Sequence, residues 1–248
     1  MKALENKIAL VTGASKGIGA AIAIAFATAG ARVVVNYRQD EPGAADVVSD
    51  ILSLGSEAVA VQADISQPRE VERLFATTVA EFGAPDIVVN NAGSFHHGDF
   101  ADLTLEAMRQ QIDVNLLGTM LVCQQAIHHF PPHGGSIINL SALNSKNSTP
   151  GSVLWAATKG AIDTLTQGLA RELGAKNIRV NALAPGMILT EGLLAAKKIS
   201  PQLKAQLLAA TPLGRFGLPE DVAQVALFLA SEESAYVSGE RVMISGGA

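Results

Sequence analysis

Cysteine and aromatic residues are scarce in this sequence. Cys123 is the single cysteine among 248 residues, which excludes an internal disulfide and a cluster of metal-bound thiolates. Aromatic residues make up 4% of the chain. Because Tyr37 and Tyr236 are the only tyrosines, few positions could supply a phenol hydroxyl for proton transfer.

The sequence also lacks long apolar runs and an excess of positive charge. No apolar run approaches the ~20 residues of a membrane span. The first residues include Glu5 and too short an apolar run for a signal peptide. The net charge of −5 argues against nucleic acid as a partner. We therefore expect a cytoplasmic protein that acts on a small molecule and binds neither membranes nor nucleic acid.

The composition is that of a folded domain. Hydrophobic residues make up 48% of the chain and charged residues 17%, and no low-complexity tract is present. The length suits one α/β domain, and no linker or internal repeat divides it. We therefore expect residues 1–248 to form a single domain.

Strand-like and helix-like segments alternate along the chain. Short runs rich in β-branched residues predict strands at 7–13, 31–37, 58–65, 86–93, 136–142, 178–186 and 240–247. Segments of helical period predict an Ala-rich helix ending at Gly30 and further helices at 43–54, 67–82, 104–130, 152–175 and 219–231. Strands buried on both faces and separated by helices indicate a parallel sheet with right-handed crossovers.

One long segment departs from this alternation. It runs from Met187 to about Leu213, is rich in leucine and alanine, and lies between the sixth strand and the last helix. Long excursions of this kind are often functional. The segment predicts a mobile helical lid beside the site at about 187–213, with a packed pair of surface helices as the alternative.

A glycine-rich turn follows the first strand. In "TGASKGIG" (12–19), Gly13 permits a tight turn, Gly17 allows the backbone to approach a pyrophosphate, and Gly19 allows close packing of helix and strand. The helix that begins here presents free N–H groups and its positive dipole end to phosphates. In a strand–turn–helix context this pattern predicts a dinucleotide site, although sharp turns in general also favour glycine.

The end of the second strand bears on the choice of dinucleotide. A site for NAD usually has Asp or Glu there, to hold the ribose 2′-hydroxyl. This chain has Tyr37 and Arg38, with Lys16 in the glycine-rich turn. Two cations without a carboxylate favour a 2′-phosphate. The sequence thus predicts NADP(H) as the cofactor, with NAD(H) as the alternative, unless the cations are simply solvated.

Further motifs occur in a definite order. They are "TGASKGIG", "NNAG" (90–93), Asn115 in "IDVNLLG", "SALNSKNSTPGSVLWAATKG" and "PGMILT" (185–190). Their order resembles that of the classical short-chain dehydrogenase/reductase family, and the resemblance covers essentially the whole chain. It implies a three-layer α/β/α fold, with a doubly wound Rossmann-type parallel sheet of seven strands, and assembly as a homotetramer.

The resemblance also implies contacts with the cofactor. Asp64 and Ile65 would lie against the adenine, Ile188 and Thr190 beside the nicotinamide carboxamide, and Lys159 would hydrogen-bond the nicotinamide ribose. The full set of expected cofactor-binding residues is Gly13, Ser15, Lys16, Gly17, Ile18, Gly19, Tyr37, Arg38, Asp64, Ile65, Asn91, Ala92, Gly93, Lys159, Pro185, Gly186, Ile188 and Thr190.

The family's catalytic positions are only partly matched. In the family a serine hydrogen-bonds the carbonyl, a tyrosine beside a lysine transfers the proton, and a helix asparagine orders a relay water. Asn115 and Lys159 match the asparagine and the lysine. Counting back four residues from Lys159 puts the tyrosine position at Trp155, and thirteen further back puts the serine position at Ala142. Both residues that would touch the reacting carbonyl are therefore replaced.

These replacements predict impaired catalysis, because an indole N–H is not an acid or base near neutral pH. Ser141 adjoins the serine position, but in an extended strand its side chain points to the opposite face unless a local bend turns it inward. His96, His97, a substrate group or a water could supply a proton instead. A catalytic metal is not expected, because no carboxylate–histidine spacing supports one.

The sequence therefore predicts an NADP(H)-dependent oxidoreductase acting on a small ketone, alcohol or sugar, with impaired activity. A non-catalytic NADP(H)-binding protein and an enzyme with a different proton donor are the alternatives.

Overall fold

The computed structural model describes residues 2–191 and 201–248, and it describes side chains from residue 205 onward in the second range. Seven parallel strands form one sheet in the order β3-β2-β1-β4-β5-β6-β7. The strands are β1 Ile8–Val11, β2 Arg32–Tyr37, β3 Ala58–Gln62, β4 Ile87–Asn90, β5 Gly135–Leu140, β6 Ile178–Pro185 and β7 Arg241–Ile244. The order reverses between β1 and β4, which places a crevice at their carboxyl ends.

Helices cover both faces of the sheet. They are α1 Gly17–Thr28, α2 Glu41–Ser53, α3 Pro68–Glu81, α4 Leu105–Ile112, α5 Thr119–His129, α6 Val153–Leu173, α7 Pro201–Ala209 and α8 Pro219–Ala230. None of the helices in the described ranges is long and apolar enough to cross a membrane. The predicted seven-stranded, doubly wound α/β/α fold is confirmed.

The core consists of two apolar layers, one on each face of the sheet. One layer packs α1, α2 and α8 against the sheet and includes Phe26 and Val33. The other packs α3 and α5 against it and includes Phe75 and Val34. The neighbouring residues Val33 and Val34 of β2 thus pack into opposite layers. Because both faces of the strand are buried, its sequence contains a continuous apolar run.

The single helix predicted at 104–130 is divided in the structure. The chain leaves α4 at Ile112, runs as a π-helix from Asp113 to Gly118, and continues as α5. A Cβ atom at Gly118 would lie 2.8 Å from Ile65 Cδ1, so this segment packs closely against the loop after β3. A π-turn inserts an extra residue into a helix and is frequent at functional sites. Here it contains the buried Asn115.

Several strands are shorter than predicted, notably those predicted at 58–65, 86–93 and 240–247. Residues beyond Gln62 and Asn90 leave the sheet and form turns beside the site. The predicted lid at 187–213 is described only in part. It contains α7, whereas its residues 192–200 lie outside the described residues.

Candidate active site

The glycine-rich turn is fixed by close backbone contacts with the segment after β4. Gly13 has φ +60°, and a Cβ atom there would lie 2.8 Å from Ala92 Cα. A Cβ atom at Gly19 would collide with Asn91 Nδ2. That amide donates hydrogen bonds to the carbonyl oxygens of Thr12 (2.9 Å) and Gly13 (2.8 Å). The glycine-rich turn and the segment after β4 are therefore held against each other, and together they form one wall of the crevice.

The start of α1 offers a site for an anion. Lys16 is its N-cap residue and provides no side-chain hydrogen bond to the helix N-terminus. The first N–H groups of such a helix remain available to an anionic ligand. A Cβ atom at Gly17 would lie 3.5 Å from Thr190 Cγ2. The glycine-rich turn therefore faces the segment after β6, as the predicted cofactor contacts require.

A cleft of about 350 Å³ opens beside these turns, at the carboxyl edge of the sheet. Ten of the predicted cofactor-binding residues line it: Gly13, Ser15, Lys16, Tyr37, Arg38, Asp64, Ile65, Asn91, Ala92 and Gly93. Asn36 also lines the cleft and was not among the residues predicted from the sequence. Its Oδ1 accepts a hydrogen bond from Gly13 N at 3.2 Å, and its Nδ2 donates to Val61 O and Ala63 O. Asn36 therefore ties the glycine-rich turn to the end of β3.

The expectation that no carboxylate accompanies the two cations is wrong. Lys16 Nζ lies 2.9 Å from Asp40 Oδ2, and Arg38 Nη1 lies 3.8 Å from Asp64 Oδ2. Asp40 comes from the loop before α2, which folds back toward the glycine-rich turn. The sequence signal was the Asp-Glu-Pro order typical of a capped helix start. The cleft therefore presents two cations and two carboxylates at one end.

Lys159 lies buried at the other side of this crevice, near the end of β5. Its Nζ donates a 2.6 Å hydrogen bond to Leu140 O and lies 4.8 Å from the ring centroid of Trp155. Burial lowers the pKa of Lys159 to about 8, although the negative charge of Asp163 opposes this shift. The structure thus confirms that Trp155 and Lys159 share one face of α6.

Asn115 is held by its own side-chain hydrogen bonds. Its Oδ1 accepts from Ser94 N at 2.7 Å, and its Nδ2 donates to Ser94 O at 2.9 Å and to Thr158 Oγ1 at 3.2 Å. A Cβ atom at Gly93 would lie 3.4 Å from Asn115 Oδ1 and 3.9 Å from Lys159 Nζ. The π-helix therefore places Asn115 beside Gly93 at the edge of the cleft, and Lys159 lies near the same glycine.

The Trp155 indole fills the space between Lys159 and the loop after β4. Its ring meets Phe95 edge-on, with centroids 5.2 Å apart and ring planes at 89°. The ammonium of Lys159 lies on the same ring at cation–π distance. The indole is therefore held between an aromatic ring and a buried cation, in a position one helical turn from Lys159.

The segment that carries Ala142 is held by hydrogen bonds to its backbone, and position 142 itself has no hydroxyl. Ala142 is buried, and its carbonyl oxygen accepts a 2.8 Å hydrogen bond from Arg241 Nη2. Ser141 Oγ donates to Lys159 O at 3.4 Å, so its hydroxyl contacts the backbone of α6. Ser145 Oγ donates to Asp163 Oδ2. The two serines nearest to Ala142 therefore have their hydroxyls engaged within the protein.

His96 and His97 lie on the exposed segment that follows the "NNAG" turn. The His97 ring packs over Gly151, where an added Cβ atom would lie 2.6 Å from Nε2, and it contacts Phe95 at 6.3 Å between centroids. The two histidines thus belong to the rim beside Trp155, and their role as proton donors stays a prediction.

The segment after β6 completes the site. Pro185 ends β6, and Gly186 N donates to Ile244 O at 2.9 Å. Ile188 is buried and pairs with Gly217. In the part of the chain that the structure describes, no group of three or more His, Cys, Asp or Glu side chains is placed to hold a metal.

Comparisons with known proteins agree with this arrangement. A family model described as enoyl-(acyl carrier protein) reductase matches residues 13–248. An uncharacterized oxidoreductase of Methylorubrum extorquens is 45% identical over 247 residues, covering 100% of this chain and 99% of the relative. Versicolorin reductase 1 of Aspergillus parasiticus is 40% identical over 254 residues, covering 99% and 97%. A solved short-chain dehydrogenase/reductase of Serratia marcescens superposes with a TM-score of 0.93 at 32% identity, covering 99% and 98%.

Proposed function

The chain belongs to the short-chain dehydrogenase/reductase family, and we propose that it is an NADP(H)-binding oxidoreductase whose ordinary carbonyl reduction is impaired. The substrate class is a small ketone, alcohol or sugar. The observation that carries the proposal is the position of Trp155, whose indole lies 4.8 Å from the buried ammonium of Lys159.

The residues present fit a nicotinamide dinucleotide. The start of α1, which has no side-chain cap, and Gly17 at its first position suit a pyrophosphate. Lys159, buried beside Gly93 at the edge of the cleft, has the charge and position to hold a ribose. The cofactor would supply the hydride for carbonyl reduction. The protein's own tasks are then to orient it and to provide a proton to the substrate oxygen.

Two exposed cations support NADP(H) as the cofactor. The side chains of Lys16 and Arg38 are 60% and 47% exposed, so both can turn toward a 2′-phosphate. Arg38 is only loosely paired with Asp64, at 3.8 Å. An arginine can hold a phosphate with two parallel hydrogen bonds, which a lysine cannot.

Titration of NADPH and NADH against the unmodified protein and Arg38→Asp tests this preference. We expect NADPH to bind more tightly to the unmodified protein, and the preference to fall or reverse in the variant. Arg171→Asp is the matched control, because it makes the same charge change on α6 near the amino edge of the sheet. Equal affinities in the unmodified protein, or an equal loss in both variants, would contradict NADP(H) preference.

The proposed loss of activity follows from the chemistry of the replaced side chains. General acid–base catalysis contributes about 10²–10⁴ in rate, and one donor to a developing oxyanion about 10²–10³. Trp155 supplies no usable acid near neutral pH, and Ala142 supplies no hydroxyl. A turnover assay with NADPH and a broad carbonyl panel tests the proposal. Activity of the unmodified protein at an ordinary rate would refute it.

A second candidate function is an enzyme that uses a different proton donor. Lys159 favours it, because burial lowers the pKa of this lysine to about 8 and its ammonium lies beside Trp155 at the edge of the cleft. An ammonium with this pKa can donate a proton near neutral pH. A protein that binds NADP(H) without turnover is the remaining alternative.

A further inference from the structure

The carboxylate of Asp40 lies at the end of the cofactor cleft where Lys16 and Arg38 are found. The cleft is lined there by Lys16, Arg38, Gln39 and Asp40. Asp40 Oδ2 is 2.9 Å from Lys16 Nζ, and its other oxygen accepts from Gly43 N at 3.3 Å. Asp40 therefore pairs with a cation to which the proposed function assigns a different partner, the cofactor's 2′-phosphate.

We infer that Asp40 is a specificity-determining residue that opposes the 2′-phosphate of NADP(H) and supports binding of NAD(H). The inference rests on the proposed function, because it requires a nicotinamide dinucleotide in this cleft. It assigns Asp40 two effects. Its carboxylate competes with the 2′-phosphate for Lys16, and it can accept a hydrogen bond from a ribose hydroxyl when no phosphate is present.

The local fold holds Asp40 in this position. It is the N-cap residue of α2, and Pro42 in the first turn fixes the direction of the helix. Gly43 allows a close approach to the glycine-rich turn, because an added Cβ atom would lie 2.8 Å from Ser15 O and 3.0 Å from Asp40 Oδ2. The carboxylate is therefore placed by the backbone of α2, independently of its ion pair with Lys16.

The charge of Asp40 is maintained at neutral pH. The hydrogen bond from Lys16 lowers the pKa of the Asp40 carboxyl below its ordinary value, so the group is ionised whenever a dinucleotide binds under ordinary conditions. An ionised carboxylate repels a phosphate dianion, and this repulsion persists between ions a few ångströms apart in water. A phosphate that binds Lys16 must therefore either displace the Asp40 carboxylate or lie beside it.

Asp64, the other carboxylate in the cleft, is less able to act in this way. Its Oδ1 accepts from both the N–H (2.9 Å) and the hydroxyl (2.7 Å) of Ser66. Its remaining oxygen is 3.8 Å from Arg38, which is a long ion-pair distance. Asp64 is thus committed to the turn that follows β3, whereas Asp40 is aimed at Lys16.

The test is the variant Asp40→Asn, with Glu41→Gln as its matched control. Asparagine caps helices as well as aspartate does, so Asp40→Asn removes the charge and keeps the cap. Glu41→Gln makes the same charge change at the next position, the exposed first residue of α2. Dissociation constants are measured for NADPH and NADH and for the fragments 2′,5′-ADP and 5′-ADP, and thermal melting confirms that each variant is folded.

We expect Asp40→Asn to bind NADPH and 2′,5′-ADP about tenfold more tightly, an effect that shrinks at about 0.5 M salt because exposed charges are screened. NADH and 5′-ADP should bind more weakly, because the carboxylate that would accept from a ribose hydroxyl is lost. Glu41→Gln should change each constant by less than about twofold.

Unchanged affinity for 2′,5′-ADP in folded Asp40→Asn, or an equal gain in Glu41→Gln, would overturn the inference. Failure of the proposed function gives a different result. If the unmodified protein prefers NADH, the proposed NADP(H) preference is wrong, yet a selective gain for 2′,5′-ADP in Asp40→Asn still supports the role of Asp40. If neither dinucleotide nor either fragment binds, both proposals fail.

Discussion

Under the proposed function, a tyrosine at position 155 and a serine at position 142 should raise the rate of carbonyl reduction. The perturbation is Trp155→Tyr, Ala142→Ser and their combination. Trp155 lies one helical turn from Lys159 on the same face, so a tyrosine there places its phenol beside the ammonium. A serine at position 142 adds a hydroxyl where the backbone is already anchored by Arg241.

The effect on the phenol can be estimated from the structure. Lys159 Nζ lies 4.8 Å from the indole centroid, and a cation at about that distance favours a phenolate by roughly 3.5 kcal/mol at an effective dielectric constant of about 20. This is about 2.5 pKa units, which would bring a tyrosine from about 10 to about 7.5. Burial of the phenol opposes the change, so the value is a lower bound for the tyrosine.

The rates should not combine as independent factors. We expect Trp155→Tyr alone to raise the rate of NADPH-dependent reduction by about 10² and the double variant to exceed ~10³. Ala142→Ser alone should have little effect, because a hydrogen bond to the carbonyl gains little without a proton donor. When two groups act as a unit, the effect of the double variant differs strongly from the sum of the two single effects.

The assay is NADPH oxidation across a panel of small ketones and sugars, with the unmodified protein, both single variants and the double variant compared at equal cofactor saturation. Trp155→Phe is the matched control, since it also removes the indole and has no hydroxyl. If Trp155→Phe gains as much as Trp155→Tyr, relief of steric blockage explains the gain and the reasoning about the acid is refuted. An unmodified protein as fast as the double variant would refute it as well.

The remaining predictions use other readouts. Cofactor binding should quench tryptophan fluorescence, and because Trp155 is the only tryptophan, an unchanged signal at saturation would place the indole away from the nicotinamide. If Lys159 donates the proton, residual reduction should be constant below its pKa of about 8 and fall tenfold per pH unit above it. Loss of the residual reduction in His96→Ala would instead assign the proton to a histidine. Light scattering at micromolar concentration should show a homotetramer and not a monomer. The reason is that α4, the π-helix, α5 and α6 expose apolar side chains that subunit contacts could bury, namely Leu105, Ile112, Leu117, Met120 and Val153. Arg241→Met should lower the free energy of unfolding, measured in urea, by about 3 kcal/mol, because it leaves the nearly buried carboxylate of Asp163 without its cation. The double variant Arg241→Met/Asp163→Asn should lose less, because it removes the unpaired charge as well.

The fold could be predicted from the sequence because its signals are local and repeated. Strand β2 is a run of valines bounded by turn residues, and a parallel sheet covered on both faces needs such runs. The π-helix from Asp113 to Gly118 could not be predicted in this way. A single extra residue leaves the apolar pattern of a helix nearly intact, so the segment 104–130 has the pattern of one continuous helix.

Charge partners were harder to predict than the residues themselves. The sequence shows Lys16 and Arg38 near a dinucleotide turn, and the structure places both beside the same cleft. The partner Asp40 follows Arg38 by two residues, so its distance from Lys16 depends on how the loop folds back. That path is set by a helix cap and by the close approach of Gly43 to Ser15, which are tertiary contacts.

Trp155 also contributes to the surroundings of the buried ammonium of Lys159. An ammonium taken out of water must be compensated, and Lys159 has Leu140 O at 2.6 Å, the nearby charge of Asp163 and the face of the indole. A cation–π contact of this kind contributes about 0.5–2 kcal/mol, and tryptophan provides the strongest of them. Phenylalanine would provide less, and alanine nothing. Under the proposed function, the indole therefore stabilises the charge that a cofactor ribose would need and offers no acid to the substrate. The proposal thus assigns binding of the dinucleotide and transfer of the proton to different atoms, so that one can be retained while the other is lost.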